Sequence, residues 1–544
     1  MFAMLTGTVR KRPSSSILLL LLLPLLTLVY FRYVVVEQHK TERLVTDLHT
    51  YVAEYPLDVA LPDFASVANQ VAALSQLAGL YMREQTLDRS RLKDSLVHLF
   101  PWWNEDKLAY VPWKHSSSKQ AKPWSKDKKK PELKTGIVVC VGDGNVEDAL
   151  FLITNLKKVL KNELPIEIAY AGDSDLSPHT RTFLRATSKD IQFLDLTKIF
   201  DNSLIGLKGW ATKPFALIAS KFPRTILVDA DAVFFSNPER AWTDYEGLQE
   251  TGTLFFHDRA VTMDHSENRR RFVAEQLVRA GRQPSQRLNS SSLFYKGYIG
   301  EEADSAVVYF DKSRPELYVT ALFAAWMNVQ DVRDAITWDT FWGDKESYWL
   351  AAELTGVPYA FEPWYAARFS EALSTSEAVV FKTPRICSPH MVHSDADDDE
   401  PFWTNMGIWQ NKEDKSLGFA NWTHWYLGDP IDQTIRTTAA ANLTQVPLEL
   451  DLDPDLEGDG DGDGDRNRVS NATLAQPANE TQVLATQASW NWRDWTEDAR
   501  GCPQHDESRW RPLSREFLER LQSIVTEAEH IRYAWTRKKI EMNN

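Results

Sequence analysis

Apolar residues fall along this chain in four patterns. The first is an almost uninterrupted run, Ile17 to Phe31, extended past Arg32 by Tyr33 to Val36. A run of about 20 residues suits a bilayer span, with Arg32 near one end where its charge reaches the interface. It closes on Tyr30, Phe31, Arg32 and Tyr33, where signal-peptide cleavage needs small residues, so an uncleaved signal-anchor is expected. Arg10, Lys11 and Arg12 precede the run and hold the short N-terminal side in the cytosol, which places the remainder in the lumen. The second pattern has helical period: Leu44, Leu48 and Val52, then Val67, Val71, Leu74, Leu77 and Leu80. It predicts a helical stem that packs on the domain that follows, with a helical pair or short coiled coil as the rival and a surface for oligomerisation. Lys119 to Lys134 is basic and contains proline, an exposed linker.

The third pattern is a series of short apolar runs separated by amphipathic segments. Ile137 to Val141 ends at Gly142, Asp143, Gly144 and Asn145, and a helix around Ala149 to Leu160 comes next. Ile166 to Gly172 ends at Asp173 and Asp175, and Ile191 to Leu196 contains Asp195. Strands alternating with helices predict an α/β domain with a mainly parallel, Rossmann-like sheet covered on both faces. The fourth pattern, beyond Trp425, is irregular. It includes the acidic glycine run EGDGDGDGDRNR, in which no frame places a carboxylate at position twelve of a calcium loop. A final helix is predicted over Leu513 to Ile540. The segments are therefore a tail (1–16), a membrane anchor (17–36), stem and linker (37–134), the α/β domain (135–430), an acidic loop or linker (431–485) and a helical end (486–544).

One strand carries the candidate chemistry. Thr225 to Val228 is apolar, stops at two carboxylates one residue apart, Asp229 and Asp231, and resumes at Val233 to Phe235. Pro223 separates it from the preceding helix and Asn237-Pro238 ends it. Ligands of open α/β sheets sit beyond the carboxyl ends of the strands, so these acids are delivered to a site. Two close carboxylates on an apolar strand call for a cation, and Mn or Mg held by one or two acids and by substrate phosphates meets that need. Lys213, one helix earlier, supplies a flexible cation able to meet a diphosphate from the other side. Asp143, Asp173, Asp175 and Asp195, at strand ends, are candidates for nucleotide contact or for helix capping. Further on, a strand ends at Asp258 and Arg259, and Asp304 and Ser305 precede another apolar run. Gly343-Asp344-Lys345-Glu346 opens a helix, with Asp344 either a sugar-binding group or a cap. His390 and His393 lead into the acidic stretch Asp395 to Glu400, which reads as a solvated loop.

The stretch GWATKPFALIASKFPRTILVDADAVFFSNPE, with the Asp304-Ser305, Gly-Asp-Lys-Glu and His393 motifs, resembles the fungal α-1,3-mannosyltransferases of the Mnn1 type, glycosyltransferase family 71. More distantly it is similar to the glycogenin-like retaining transferases. The likeness runs from about Gly136 to Trp425. It implies a GT-A fold, a GDP-mannose donor, a Mn2+ or Mg2+ ion, a mannose-terminated glycan acceptor on glycoproteins and a Golgi address as a single-pass type II membrane protein. By residue, it implies a metal shell of Asp229, Asp231 and His393, with His390 the competitor for the histidine's place, a donor-facing Lys213, and roles at the reacting sugars for Asp344 and Asp304. At Ala306 the family pattern has glycine.

Composition narrows the alternatives. A net charge of -15 argues against nucleic acid as a partner. Asn-x-Ser/Thr acceptors at Asn289, Asn421, Asn442, Asn471 and Asn479 agree with a lumenal location. Of three cysteines, Cys140 lies in an apolar strand while Cys387 and Cys502 are free to pair in the lumen. Twenty tryptophans offer platforms for sugar rings as well as core packing. The rival readings are a transferase using a UDP-sugar and an inactive lumenal glycan-binding protein on the same fold. A phosphatase or nuclease ranks below both, for want of a second metal constellation.

Overall fold

A computed structural model describes residues 39–53, 64–84, 87–115, 134–259, 266–370, 389–397, 400–412, 414–428 and 510–543. The apolar segment at 17–36, Cys387, Cys502 and the acidic glycine run lie outside these residues. Among the described residues no helix is long and apolar enough to cross a membrane.

Six strands form the central sheet: β1 (Thr135–Cys140), β2 (Ile166–Tyr170), β3 (Ile191–Asp195), β4 (Arg224–Asp229), β6 (Thr253–His257) and β7 (Ala303–Asp311), in the order β3-β2-β1-β4-β7-β6. The intervening β5 (Val233–Phe234) pairs elsewhere. Strands β1 to β4 are mutually parallel, as β-branched runs joined by helical crossovers require. The sheet is not parallel throughout: β7 runs antiparallel to both β4 and β6. Its register pairs Val307 with Val228, so the first residues of β7 lie beside the last residues of β4. This mixed, mainly parallel α/β sheet thus brings Asp304 and Ser305 to the same edge as Asp229.

Side chains of a strand alternate between faces, and each face here has its own core. Val138, Leu227 and Val308 point into one, beside helices α1 (Phe64–Arg83), α3 (Thr212–Ala219), α4 (Pro315–Trp326) and α5 (Ser347–Thr355). Ile137, Val139, Ile226 and Val228 point into the other, with α2 (Val146–Thr154) and the C-terminal α6 (Arg515–Asn543). Two small antiparallel sheets complete that side, one of β5, β10 (Pro401–Thr404) and β9 (Val392–Ser394), the other of β8 (Arg368–Ser370), β11 (His424–Tyr426) and β12 (Trp510–Pro512).

The helical region read as a stem is built into the first core. Val67, Val71, Leu74 and Leu77 of α1 are fully buried, and α1 packs on α4 and α5. Trp103 donates its indole N–H to the Tyr318 hydroxyl of α4 at 3.1 Å, and Ala65 N–H donates to Gln276 Oε1 at 2.9 Å. At the other end of the chain Phe517 and Leu521 of α6 join the second core, and the Phe517 ring lies 4.7 Å from that of Phe235. Leu74→Ala is therefore expected to lower the unfolding free energy by about 2–5 kcal/mol, as a cavity in a shared core does. Denaturant unfolding of the two proteins checks it; a loss confined to a separate early transition would mean that α1 folds as an independent appendage.

Candidate active site

The carboxyl ends of β1, β2 and β4, the first residues of β7 and the start of α3 surround a cavity of about 610 Å³. Gly142, just past β1, lets the chain pass close to its neighbour: a Cβ there would stand 2.6 Å from Asp175 Oδ1. Its N–H donates to Asn145 Oδ1 at 2.8 Å, while Asp175 accepts from Ala171 N–H at 2.8 Å. These groups form one end of the cavity.

The other end is charged. Strand β4 stops at Asp229, the chain turns through Ala230, and Asp231 comes next on the same wall. Lys213, in the first turn of α3, buries its ammonium between elements: Nζ donates to Ser305 O and Ser305 Oγ, each at 2.9 Å, and pairs with Asp229 Oδ1 at 2.9 Å and Asp344 Oδ2 at 3.4 Å. Burial alone would favour the neutral amine. Asp229 and Asp344 outweigh it and hold the lysine charged, above its ordinary pKa. Asp344 is braced in turn by the Tyr348 hydroxyl at 2.8 Å. Lys412 bonds Asp231 Oδ2 and stands 4.0 Å from Asp148 Oδ2.

Four carboxylates, Asp148, Asp229, Asp231 and Asp344, thus share two ammonium groups. The imbalance is visible in the acids. Burial, with Asp231 and Asp344 adding repulsion, pushes Asp229 up to about 7 against the pull of Lys213. Burial lifts Asp148 to about 6, although Lys412 opposes it. Asp148 Oδ1 is buried and accepts no hydrogen bond within the protein. The chemistry of this donor set would suit a hard divalent cation, with Asp229 and Asp231 as the side chains that would hold it. Among the described residues no group of three or more His, Cys, Asp or Glu side chains is gathered to hold a metal. The remaining ligands would come from a substrate diphosphate and water.

His393 lies elsewhere than the expected metal shell. Its Nδ1 bonds Glu362 Oε1, its Nε2 lies 3.3 Å from Asp304 Oδ2, and its ring stacks on Trp403 with centroids 4.1 Å apart. Both nitrogens are committed and the residue is buried behind the cavity wall. Burial would lower its pKa, but Glu362 and Asp304 reverse this and push it up to about 9. The imidazolium therefore fixes Asp304, which also accepts from Asn405 Nδ2 and from Ala306 N–H at 2.9 Å. Burial works against the charged form of Asp304, and those partners hold it below the usual carboxylate range. Ala306 stands where glycine was expected, and strand β7 accommodates it as a buried residue.

Asp304, Lys213, Asp229 and Asp231 line the cavity together, as do Ser305, Asp258, Arg259 and Lys345. Asp344 stands behind Lys213 and neither lines the cavity nor caps α5. Asp143 and Asp173 also lie off the lining: Asp143 accepts from Ser177 N–H at 3.2 Å and Asp173 pairs with Arg181 at 2.7 Å. Asp195 caps the turn Leu196–Lys198. Elsewhere in the Gly-Asp-Lys-Glu motif, Lys345 bridges Asp258 at 2.7 Å and Glu301, while Glu346 accepts from the backbone N–H of Glu302 at 3.0 Å. Lys412, Asp148 and Glu362 carry no motif that marks them in the sequence.

Residues 134–395 match the family model described as "Mannosyltransferase putative". That segment, just under half of the chain, is similar to this mannosyltransferase family. The matched span holds the acid pair, Lys213, Asp304, Asp344 and His393, the motifs that carried the resemblance to Mnn1-type enzymes. "Putative alpha-1,3-mannosyltransferase MNN14" of Candida albicans is 28% identical over 303 residues, 50% of this chain and 42% of its own length. In Saccharomyces cerevisiae, "Probable alpha-1,3-mannosyltransferase MNT4" is 26% identical over 302 residues, covering 50% of this chain and 49% of that protein. "Alpha-1,3-mannosyltransferase MNT2" of the same yeast is 24% identical, covering 50% and 51%. The chain spans about half the length of these relatives. A solved structure of core-mannan synthase A (CmsA/Ktr4) from Aspergillus fumigatus in its Mn/GDP form is 11% identical over 44% of this chain and 77% of that one, with a TM-score of 0.29. At that score the likeness carries no weight.

The His393 pair makes stability depend on pH with a definite sign. Its pKa is raised in the folded protein, so its contribution is fully present below about pH 6.5 and fades as pH rises through about 9. Denaturant unfolding of wild type and His393→Asn is expected to show a gap of at most about 3 kcal/mol at pH 6 that narrows by pH 9. A gap that stays constant or widens would contradict the pairing.

Proposed function

We propose that this chain is a retaining α-1,3-mannosyltransferase that moves mannose from GDP-mannose to mannose-terminated N- or O-glycans of glycoproteins in the Golgi lumen, anchored there by residues 17–36. The observation that carries the reading is the partly buried carboxylate cluster, short of positive charge, at one end of a cavity with the volume for a nucleotide sugar. The match of the same residues to the mannosyltransferase family model supports it. The names of the relatives support the linkage, and exposed Asn289 and Asn421 agree with a lumenal surface.

In transfer, the bond between the anomeric carbon and the diphosphate oxygen breaks and a bond to the acceptor hydroxyl oxygen forms. The hydroxyl proton passes to the departing phosphate when attack comes from the same face, so no nucleophilic carboxylate is required. A divalent cation bound at Asp229 and Asp231, Mn2+ or Mg2+, would supply positive charge to the leaving group. Lys213 stands ready on the other side, already charged and fixed by Asp344 and Ser305, and offsets the charge that develops. Asp304, kept ionised by His393 and Asn405, orients a sugar hydroxyl beside it. The end of the cavity formed by Gly142, Asn145 and Asp175 receives the nucleoside, where a strand–turn–helix unit ordinarily does.

The test is transfer by the purified lumenal portion, with manganese and a panel of GDP- and UDP-sugars on an α-mannoside acceptor, followed by linkage analysis. GDP-mannose is expected to be the donor and the product α-1,3-linked, and Asp231→Asn is expected to reduce turnover by about 10²–10³. Preference for a UDP-sugar would replace the donor. Absence of both transfer and cation-dependent donor hydrolysis would leave a glycan-binding protein instead.

A further inference from the structure

Two of the tryptophans remain to be placed. Among the described residues the exposed tryptophans are Trp210, at 50%, and Trp342, at 63%, and both line the cavity. An indole of that size left open costs solvation free energy, and two on the rim of one cavity mark a surface that a ligand covers. Their setting is built. Trp210 sits in the turn Gly209–Ala211, three residues before Lys213, and Trp342 sits two residues before Asp344, the acid that grips Lys213. Gly343 joins the two segments: its φ is +73°, and a Cβ there would stand 3.0 Å from Cε3 of Trp210, so the indole lies directly against that turn. Trp338 meets the Trp210 ring edge-on at 6.1 Å and 70°, fixing its plane.

We infer that Trp210 and Trp342 form the stacking wall for a pyranose ring of the glycan acceptor, with Asp258, Arg259 and Lys345 along the same cavity available to its hydroxyls. This rests on the sugar-transfer reading above. A pyranose presents a flat array of C–H groups to an aromatic face and polar groups at its rim, which matches an indole wall with charged neighbours. A nucleobase is the other flat ligand in reach. Position argues against it: the wall is tied to Lys213 and Asp344, at the diphosphate end, whereas the base end is Gly142, Asn145 and Asp175. An acceptor hydroxyl has to approach the carbon that adjoins the diphosphate. A glycan carried on a protein also has to enter from solvent, and these two rings are the exposed aromatic part of the lining.

Saturation-transfer NMR or calorimetry with an α-linked manno-oligosaccharide, on protein loaded with GDP and manganese, reads the wall without needing turnover. Trp342→Ala and Trp210→Phe, with melting curves to verify folding, are expected to retain wild-type GDP affinity. Trp342→Ala and the double variant Trp210→Ala/Trp342→Ala are expected to bind the oligosaccharide about tenfold or more weakly, and Trp210→Phe, which keeps an aromatic face, to lose less. In transfer assays the KM for the acceptor rises while that for the donor does not. Unchanged oligosaccharide affinity in Trp342→Ala and the double variant overturns the inference, as does absence of oligosaccharide binding by wild type. Loss of GDP affinity with glycan binding intact also overturns it and marks a base platform. Tryptophan-dependent glycan binding by a protein that transfers no mannose would sustain the wall and refute the transferase reading.

Discussion

The site depends on one buried ion cluster, the Lys213 ammonium held between Asp229 and Asp344. A charge with a side chain only 4% exposed is tolerated because three elements meet around it: α3 brings the lysine, β4 ends in one acid and the turn before α5 supplies the other. The geometry in turn fixes those elements to one another. Ser305 adds two further acceptors, and it is available only because β7 runs against β4 and starts where β4 stops. The antiparallel strand is thus the topological condition for the site. Had β7 run parallel, Asp304 and Ser305 would lie at the opposite edge of the sheet.

Around that cluster, second partners do much of the positioning. Asp304 is gripped by His393, Asn405 and a backbone N–H, and His393 is itself anchored by Glu362 and stacked on Trp403. Glu346, pushed up to about 8 by burial and by Glu301, caps the backbone that enters β7. Such supports hold the groups that face a substrate in place before it arrives, which is the condition for electrostatic stabilisation of a leaving group.

The local part of this design was legible in the sequence. An apolar β-branched run that ends in Asp-x-Asp dictates a strand and delivers acids to its end, and Lys213 was marked by its place one helix earlier. The non-local part was not. Glu362 lies 31 residues before His393, and without it the histidine reads as a metal ligand rather than as the partner of two carboxylates. Lys412 reaches Asp231 across 181 residues and looks in sequence like any surface lysine. Asp148 sits in the first turn of α2, where an acid ordinarily just complements the helix end. Asp344 was legible as a site residue but not in its role, because a motif does not reveal that its acid faces a lysine instead of a sugar. In the same way helical period marked α1 without showing that its apolar face is shared with α4 and α5.

The acids beyond β4 are short of positive charge, and on the proposed function a divalent ion would make up the difference. Electron paramagnetic resonance of manganese titrated into the protein with GDP present measures this directly. The account predicts one bound ion per chain and its loss in the Asp229→Asn, Asp231→Asn double variant while the fold stays intact. Manganese held equally well by wild type and that variant would contradict it.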